Sequence, residues 1–191
     1  MRIFDKFKCG RGENKVLSAE RKKQIENCVN GLIDKYKIGV PGFDLTKFLI
    51  DNYGFKVGTQ DLDKNVKGVI LVNDDECILN TNINRLISIN RELGIDDFYL
   101  YNQEKRFTIA CEFAHFVLHK GNYSKYGYKT FISKSSVEDE EADYFARCLL
   151  MPEITVLGIL NADGIADLSP TDKTDLISRA FFVSVRDVRL R

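Results

Sequence analysis

The sequence is short of the features that define several protein classes. None of its 191 residues falls in a run approaching the ~20 consecutive apolar residues of a membrane helix. The first fifteen residues, MRIFDKFKCGRGENK, carry no apolar stretch of signal-peptide length. These two absences make the cytoplasm the expected location. Neither sign of charge is in excess, since 28 Lys plus Arg balance 28 Asp plus Glu, so there is no general attraction to nucleic acid or anionic lipid. There is no CxxC pair. The five cysteines, Cys9, Cys28, Cys77, Cys111 and Cys148, are odd in number and irregularly spaced, which argues for free thiols in a reducing compartment rather than a disulfide framework. No internal repeat or low-complexity segment is present. Only two residues are histidine.

What is present is enough for a core. An apolar content of 44% at this length fits one domain spanning residues 1–191 and argues against global disorder. Residues 1–16 are basic and glycine-containing and are expected to be loosely held. Ile25, Cys28, Val29, Leu32 and Ile33 recur at helical steps from Ala19 to about Tyr36, behind an N-cap at Ser18 whose capping box is incomplete because Arg21 stands at N3. Val40-Pro41-Gly42 breaks that helix, and Asp44 caps a second one ending near Tyr53-Gly54. Phe55 to Val57, Lys67 to Val72 and Cys77 to Asn80 read as strands, the last two joined by a turn at Asn73-Asp74-Asp75. Residues 81–100 carry another helical pattern. Phe107 to His119 predicts a buried helix, and 121–136 a polar loop holding Tyr123, Tyr126, Tyr128 and Phe131. Ser136 caps a helix with an acidic first turn that runs to Leu150. Ser169-Pro170 opens a C-terminal helical segment, 169–191, with a turn at Val183-Ser184 before a short last helix. The expected class is α+β, mostly helical with a small antiparallel sheet.

The chemistry-bearing string is Cys111-Glu112-Phe113-Ala114-His115. On a helix, positions 111 and 115 share a face, where a thiolate and an imidazole can grip one Zn²⁺. Glu112, rotated by ~100°, would stand beside the metal, as a base acting on metal-activated water does. The plain alternative is a small buried cysteine and a hydrogen-bonded core histidine. Against it stands the cost of burying a carboxylate in an apolar helix for packing alone. A Cys111/His115 nucleophile–base pair is a weaker alternative, because no third group is evident to orient it.

Arg106-Phe107-Thr108-Ile109-Ala110 leading into that string, then Asp139 to Pro152 ending in Phe145-Ala146-Arg147-Cys148-Leu149-Leu150-Met151-Pro152, resembles the ImmA/IrrE family of zinc metallopeptidase domains. That family's pattern runs RFTxAHExxHxxLH and then ExEANxFAxxLLMP. Residues 182–191 resemble its closing FxVSxxAVxxRL. The resemblance implies a zincin-like domain with an active-site helix and a thermolysin-like site, two ligands coming from the first helix and one carboxylate from the second. Carried over residue by residue, the metal ligands are Cys111, His115 and Asp139, and the catalytic base is Glu112. Asp143 falls where a partner orients a metal-bound histidine. Glu138, Glu140 and Glu141 are alternatives for the third ligand.

The chain departs from the pattern twice, with Cys111 for His and Asp139 for Glu. Aspartate is shorter by one methylene, and zinc–ligand distances tolerate only ~0.2 Å, so the two helices must approach closely. A thiolate ligand should weaken the zinc as a Lewis acid. His119 reads as a polar residue near the helix C-terminal dipole rather than a ligand. One of the loop tyrosines could serve an oxyanion, and the longer 81–105 connection could cover a cleft.

The implied activity is that of a zinc-dependent endopeptidase cutting a regulatory protein, typically a helix-turn-helix repressor of stress or mobile-element genes. The alternative is a metal-poor pseudo-peptidase that binds such a regulator without cutting it. The arginine-bearing tail looks like half a helix-turn-helix, but neutral net charge argues against direct nucleic-acid binding.

Overall fold

The computed structural model describes residues 17–63, 65–72, 77–82, 98–119, 128–131 and 136–191. The leading basic segment, the turn at 73–75, Tyr123, Tyr126 and most of the 81–105 connection lie outside the described residues.

Helix α1 is Ala19–Tyr36, with the Ser18 hydroxyl accepting from the Arg21 N–H despite the missing acid at N3. Helix α2 is Leu45–Tyr53. Asp44 accepts from the Lys47 N–H at its start, and Gly54 ends it at φ 67°, donating back to the last turn. That left-handed position suits glycine. Three strands follow: β1 Phe55–Gln60, β2 Val66–Val72 and β3 Cys77–Asn82. Residues 81 and 82 therefore close a strand and do not begin a helix. Helix α3, Phe98–Leu118, starts nine residues before the sequence pattern suggested. Strand β4, Tyr128–Phe131, falls inside the expected polar loop and takes up Tyr128 and Phe131. Helix α4 is Val137–Leu150, with a full capping box between Ser136 and Asp139. Then come α5 Glu153–Leu160, α6 Pro170–Phe181 and α7 Val185–Leu190.

The protein is α+β, as expected. The four-stranded sheet has the order β1-β3-β2-β4. Ladders β2–β3 and β2–β4 are antiparallel, while β1 runs parallel to β3, so the sheet is mixed rather than wholly antiparallel. The cause is local to β3, which inserts between two strands that are consecutive in sequence. The buried Asn82 side chain holds the β1–β2 connection from below, donating to the carbonyls of Leu62 at 3.3 Å, Asp63 at 2.9 Å and Val66 at 2.6 Å.

The core forms where α3 meets α2, α4 and the sheet. Phe113 is fully buried and its ring lies 5.1–6.4 Å from those of Phe48, Tyr53, Phe55, Phe116 and Phe145. Edge-on contacts dominate, the arrangement ring quadrupoles favour. This cluster fixes the rotation of α3 about its axis. The next residue back, Glu112, is thereby turned toward β2.

Candidate active site

Helices α3 and α4 carry the candidate residues along one seam. His115 opposes Asp139, and Cys111, one turn earlier, opposes Asp143, one turn later. Numbers rise along one helix as they fall along the other, so the pair is antiparallel. The four-residue step on both sides keeps the polar groups in register. Small residues permit the approach: Ala110, Ala114, Ala142 and Ala146 are all completely buried.

His115 Nε2 lies 3.6 Å from Asp139 Oδ1. That is too long for a good hydrogen bond. It suits two donors sharing one ion, because bonds of ~2.0–2.1 Å at a tetrahedral angle separate their donors by about 3.3 Å. Asp139 is held for this by its place at N3 of α4, where Oδ2 accepts from the Ser136 N–H at 2.9 Å and leaves Oδ1 toward His115. The shorter aspartate reaches because the seam is tight. His115 is fully buried, and its pKa is lowered to about 3, first by burial and then by neighbouring His119, against the pull of Asp139. It is a neutral imidazole, the form that ligates metal.

Cys111 is buried, and its Sγ donates to Asp143 Oδ1 at 3.3 Å. Burial, followed by the nearby Asp143 carboxylate, pushes the thiol well above its usual range, which argues against the cysteine nucleophile. Among the described residues, no three His, Cys, Asp or Glu side chains gather into one metal-holding group. The nitrogen and oxygen donors thus fit a shared ion, and the sulfur stands one turn away along the seam, bonded to Asp143. Asp143 therefore engages the cysteine, where the resemblance implied that it would orient a histidine.

Glu112, the residue after Cys111 on α3, is fully buried and lies against Gly68 of β2. A Cβ added at Gly68 would come within 2.8 Å of Glu112 Oε1 and 2.9 Å of Thr108 Cγ2. Glycine at 68 is required by that close approach.

Behind His115 runs a hydrogen-bonded series. Its Nδ1 lies 3.1 Å from His119 Nδ1, and His119 Nε2 lies 2.9 Å from Glu141 Oε2. Arg21 of α1 grips the same carboxylate through Nε to Oε1 at 2.7 Å and Nη2 to Oε2 at 2.5 Å. This guanidinium, ahead of all other influences, holds the Glu141 carboxyl below the usual carboxylate range. Glu141 is thus committed to Arg21 and His119 rather than to a metal. His119 is buried inside the network. Neither role was legible in the sequence, where the only trace was an arginine standing at N3 of α1.

A family model described as the IrrE N-terminal-like domain, peptidase family M78, matches residues 80–185, more than half of the chain. The chain belongs to this family. The matched span includes the whole α3–α4 seam, so the M78 domain here is metallopeptidase-like and carries its candidate site on the helices that hold the motifs. Helices α1 and α2, and Arg21 with them, precede the matched span. Among curated proteins, none matches the chain. No helix among the described residues is long and apolar enough to cross a membrane.

Proposed function

We propose that this M78 domain is a zinc-dependent endopeptidase acting on a regulatory protein, with His115, Asp139 and Cys111 as the metal ligands and Glu112 as the base. The observation that carries the reading is the 3.6 Å approach of His115 Nε2 to Asp139 Oδ1, with Glu112 fully buried on the same helix as His115. Bound zinc would polarise the scissile carbonyl and make a water acidic near neutral pH. Glu112 takes the proton from the attacking water and delivers it to the departing amine, so the scissile C–N bond breaks as the new C–O bond forms. His115 stays neutral throughout, and the complete burial of Glu112 keeps bulk water from the carboxylate. A helix-turn-helix repressor is the substrate class that the family resemblance suggests. The cytoplasm is where such a partner belongs, and a reducing compartment suits the free thiols of Cys28, Cys77 and Cys148.

Glu112→Gln tests the mechanism. Zinc-loaded protein is incubated with a bacterial protein extract, and new N-termini are counted by mass spectrometry. The wild type generates a defined set, and the variant generates none while its zinc content by elemental analysis is unchanged. An equal set from the variant would remove Glu112 from the chemistry.

One observation favours a second reading. The Cys111 thiol is buried and bonded to Asp143, and a thiol that stays protonated leaves only two donors. The domain would then be a metal-poor pseudo-peptidase that binds a regulator intact. Less than a tenth of an equivalent of zinc, after growth and purification with zinc present, selects this reading over the first.

A further inference from the structure

We propose that the outer face of α5, with the groove beside it, is a docking surface for a second copy of this chain, packed about a two-fold axis. The inference is independent of the metal reading.

Helix α5 is tied to the domain on one side only. Thr155 Oγ1 donates to the Gly39 carbonyl at 2.6 Å. The opposite side is a stripe at helical spacing, Glu153, Ile154, Leu157, Gly158 and Asn161, all exposed. Ile154 is 81% exposed and Leu157 49%. Glycine inside a helix costs stability relative to alanine, and nothing lies within 4 Å of a Cβ added at Gly158. Within one chain this glycine has no packing reason. A second backbone approaching the stripe supplies one. Beside the stripe lies a cavity of about 250 Å³, lined by Val156, Leu160, Ile177 and Val188 from α5, α6 and α7.

Charge selects the occupant. At the start of α5 stand Glu153 and Arg191, whose Nε donates to the Met151 carbonyl at 3.2 Å. Past its other end stand the exposed Asp163 and Asp167, and Lys173, whose Nζ donates to the Ala166 carbonyl. None of these five takes part in an ion pair among the described residues. A two-fold axis sets residue i of each copy against residue j of the other. Antiparallel α5 helices would bring Glu153 of one copy to Lys173 of the other, and Arg191 to Asp163 and Asp167. The same rotation seats Ile154 in the facing groove and sets the two Gly158 residues near the axis. A partner of a single charge sign would meet like charge at both ends. Equal numbers of acidic and basic residues, 28 of each, leave no net repulsion between copies.

Sedimentation velocity of the full chain, from micromolar to submillimolar concentration, tests this. The wild type should move from the mass of one chain to twice that mass as concentration rises. Ile154→Asp changes an exposed site and should keep the protein folded, by circular dichroism, and monomeric throughout. Gly158→Leu should do the same by filling the space of closest approach, and it serves if Ile154→Asp fails to fold. Glu153→Lys should weaken association about tenfold, because the symmetry makes the like-charge clash twice. Combining it with Lys173→Glu should restore association. A wild type monomeric at every concentration would overturn the proposal and leave the groove to a different protein. Association that survives in folded Ile154→Asp and Gly158→Leu would overturn it by placing the contact elsewhere. A folded charge-swap variant that stays weak would overturn the two-fold pairing.

Discussion

Glu112 and Gly68 show how far one side chain can dictate another. The carboxylate is fully buried, and the strand facing it has no side chain at the point of contact. Burying a charge in an apolar helix is unfavourable, and a group retained for chemistry commonly costs the fold stability. Glu112→Gln keeps the shape of the side chain and should leave the metal-free protein within about 1 kcal/mol of the wild type, read from the denaturant midpoint; a larger loss would show that the carboxylate holds the fold. Gly68→Ala should cost about 1–3 kcal/mol through overpacking, measured the same way. It should also displace the glutamate and abolish cleavage with zinc still bound. The burial of Glu112 was legible in the sequence, because it stands amid Ala110, Cys111, Phe113 and Ala114 in an apolar helix. Gly68 was read only as a strand residue. Its contact is made across 44 positions of sequence, and no local pattern encodes it.

At the scale of elements, legibility followed capping. Helices α1, α2, α4 and α6 begin at Ser18, Asp44, Ser136 and Ser169, each of which accepts a backbone N–H of the first turn. All four starts could be read from the chain. Helix α5 was missed because Pro152 gives it no side-chain cap and its residues are apolar on every face, so there was no periodicity to see. Strand β4 was missed because four residues among polar neighbours give too short an alternation, and the parallel β1–β3 ladder because pairing order is a tertiary property. The aromatic cluster behind α3 is the element-scale device that aims the site. Phe113→Ala should cost about 3–5 kcal/mol in denaturant unfolding. Phe113→Leu, which fills most of the volume, should cost less than Phe113→Ala in the same measurement.

At the scale of the molecule, distant parts of the chain converge on α3 and α4. The Val183 carbonyl, in the turn before α7, accepts from Gln103 Nε2 of α3 and from Ser178 Oγ of α6, both at 2.7 Å. Arg191 donates to the Met151 carbonyl at 3.2 Å. The tail that resembled half a helix-turn-helix is thus folded back onto the domain, with Arg186 and Arg189 left exposed. Removing one of the two donors leaves the carbonyl served by the other, so Gln103→Ala and Ser178→Ala should each have a small effect through that acceptor. The double variant strands a buried carbonyl and should cost about 1–3 kcal/mol beyond the sum of the singles. Additive losses would show that the shared acceptor does not couple them.

The clasp between Arg21 and Glu141 bears on how such a protein is trimmed for study. A fragment cut to residues 80–185 would keep the motifs of α3 and α4 yet lose the only cation seen gripping Glu141 among the described residues, along with β1, β2 and half of β3. Similarity marks where a lineage can be recognised; here the contacts of α4 reach 59 residues upstream of that mark, to an arginine that no motif includes.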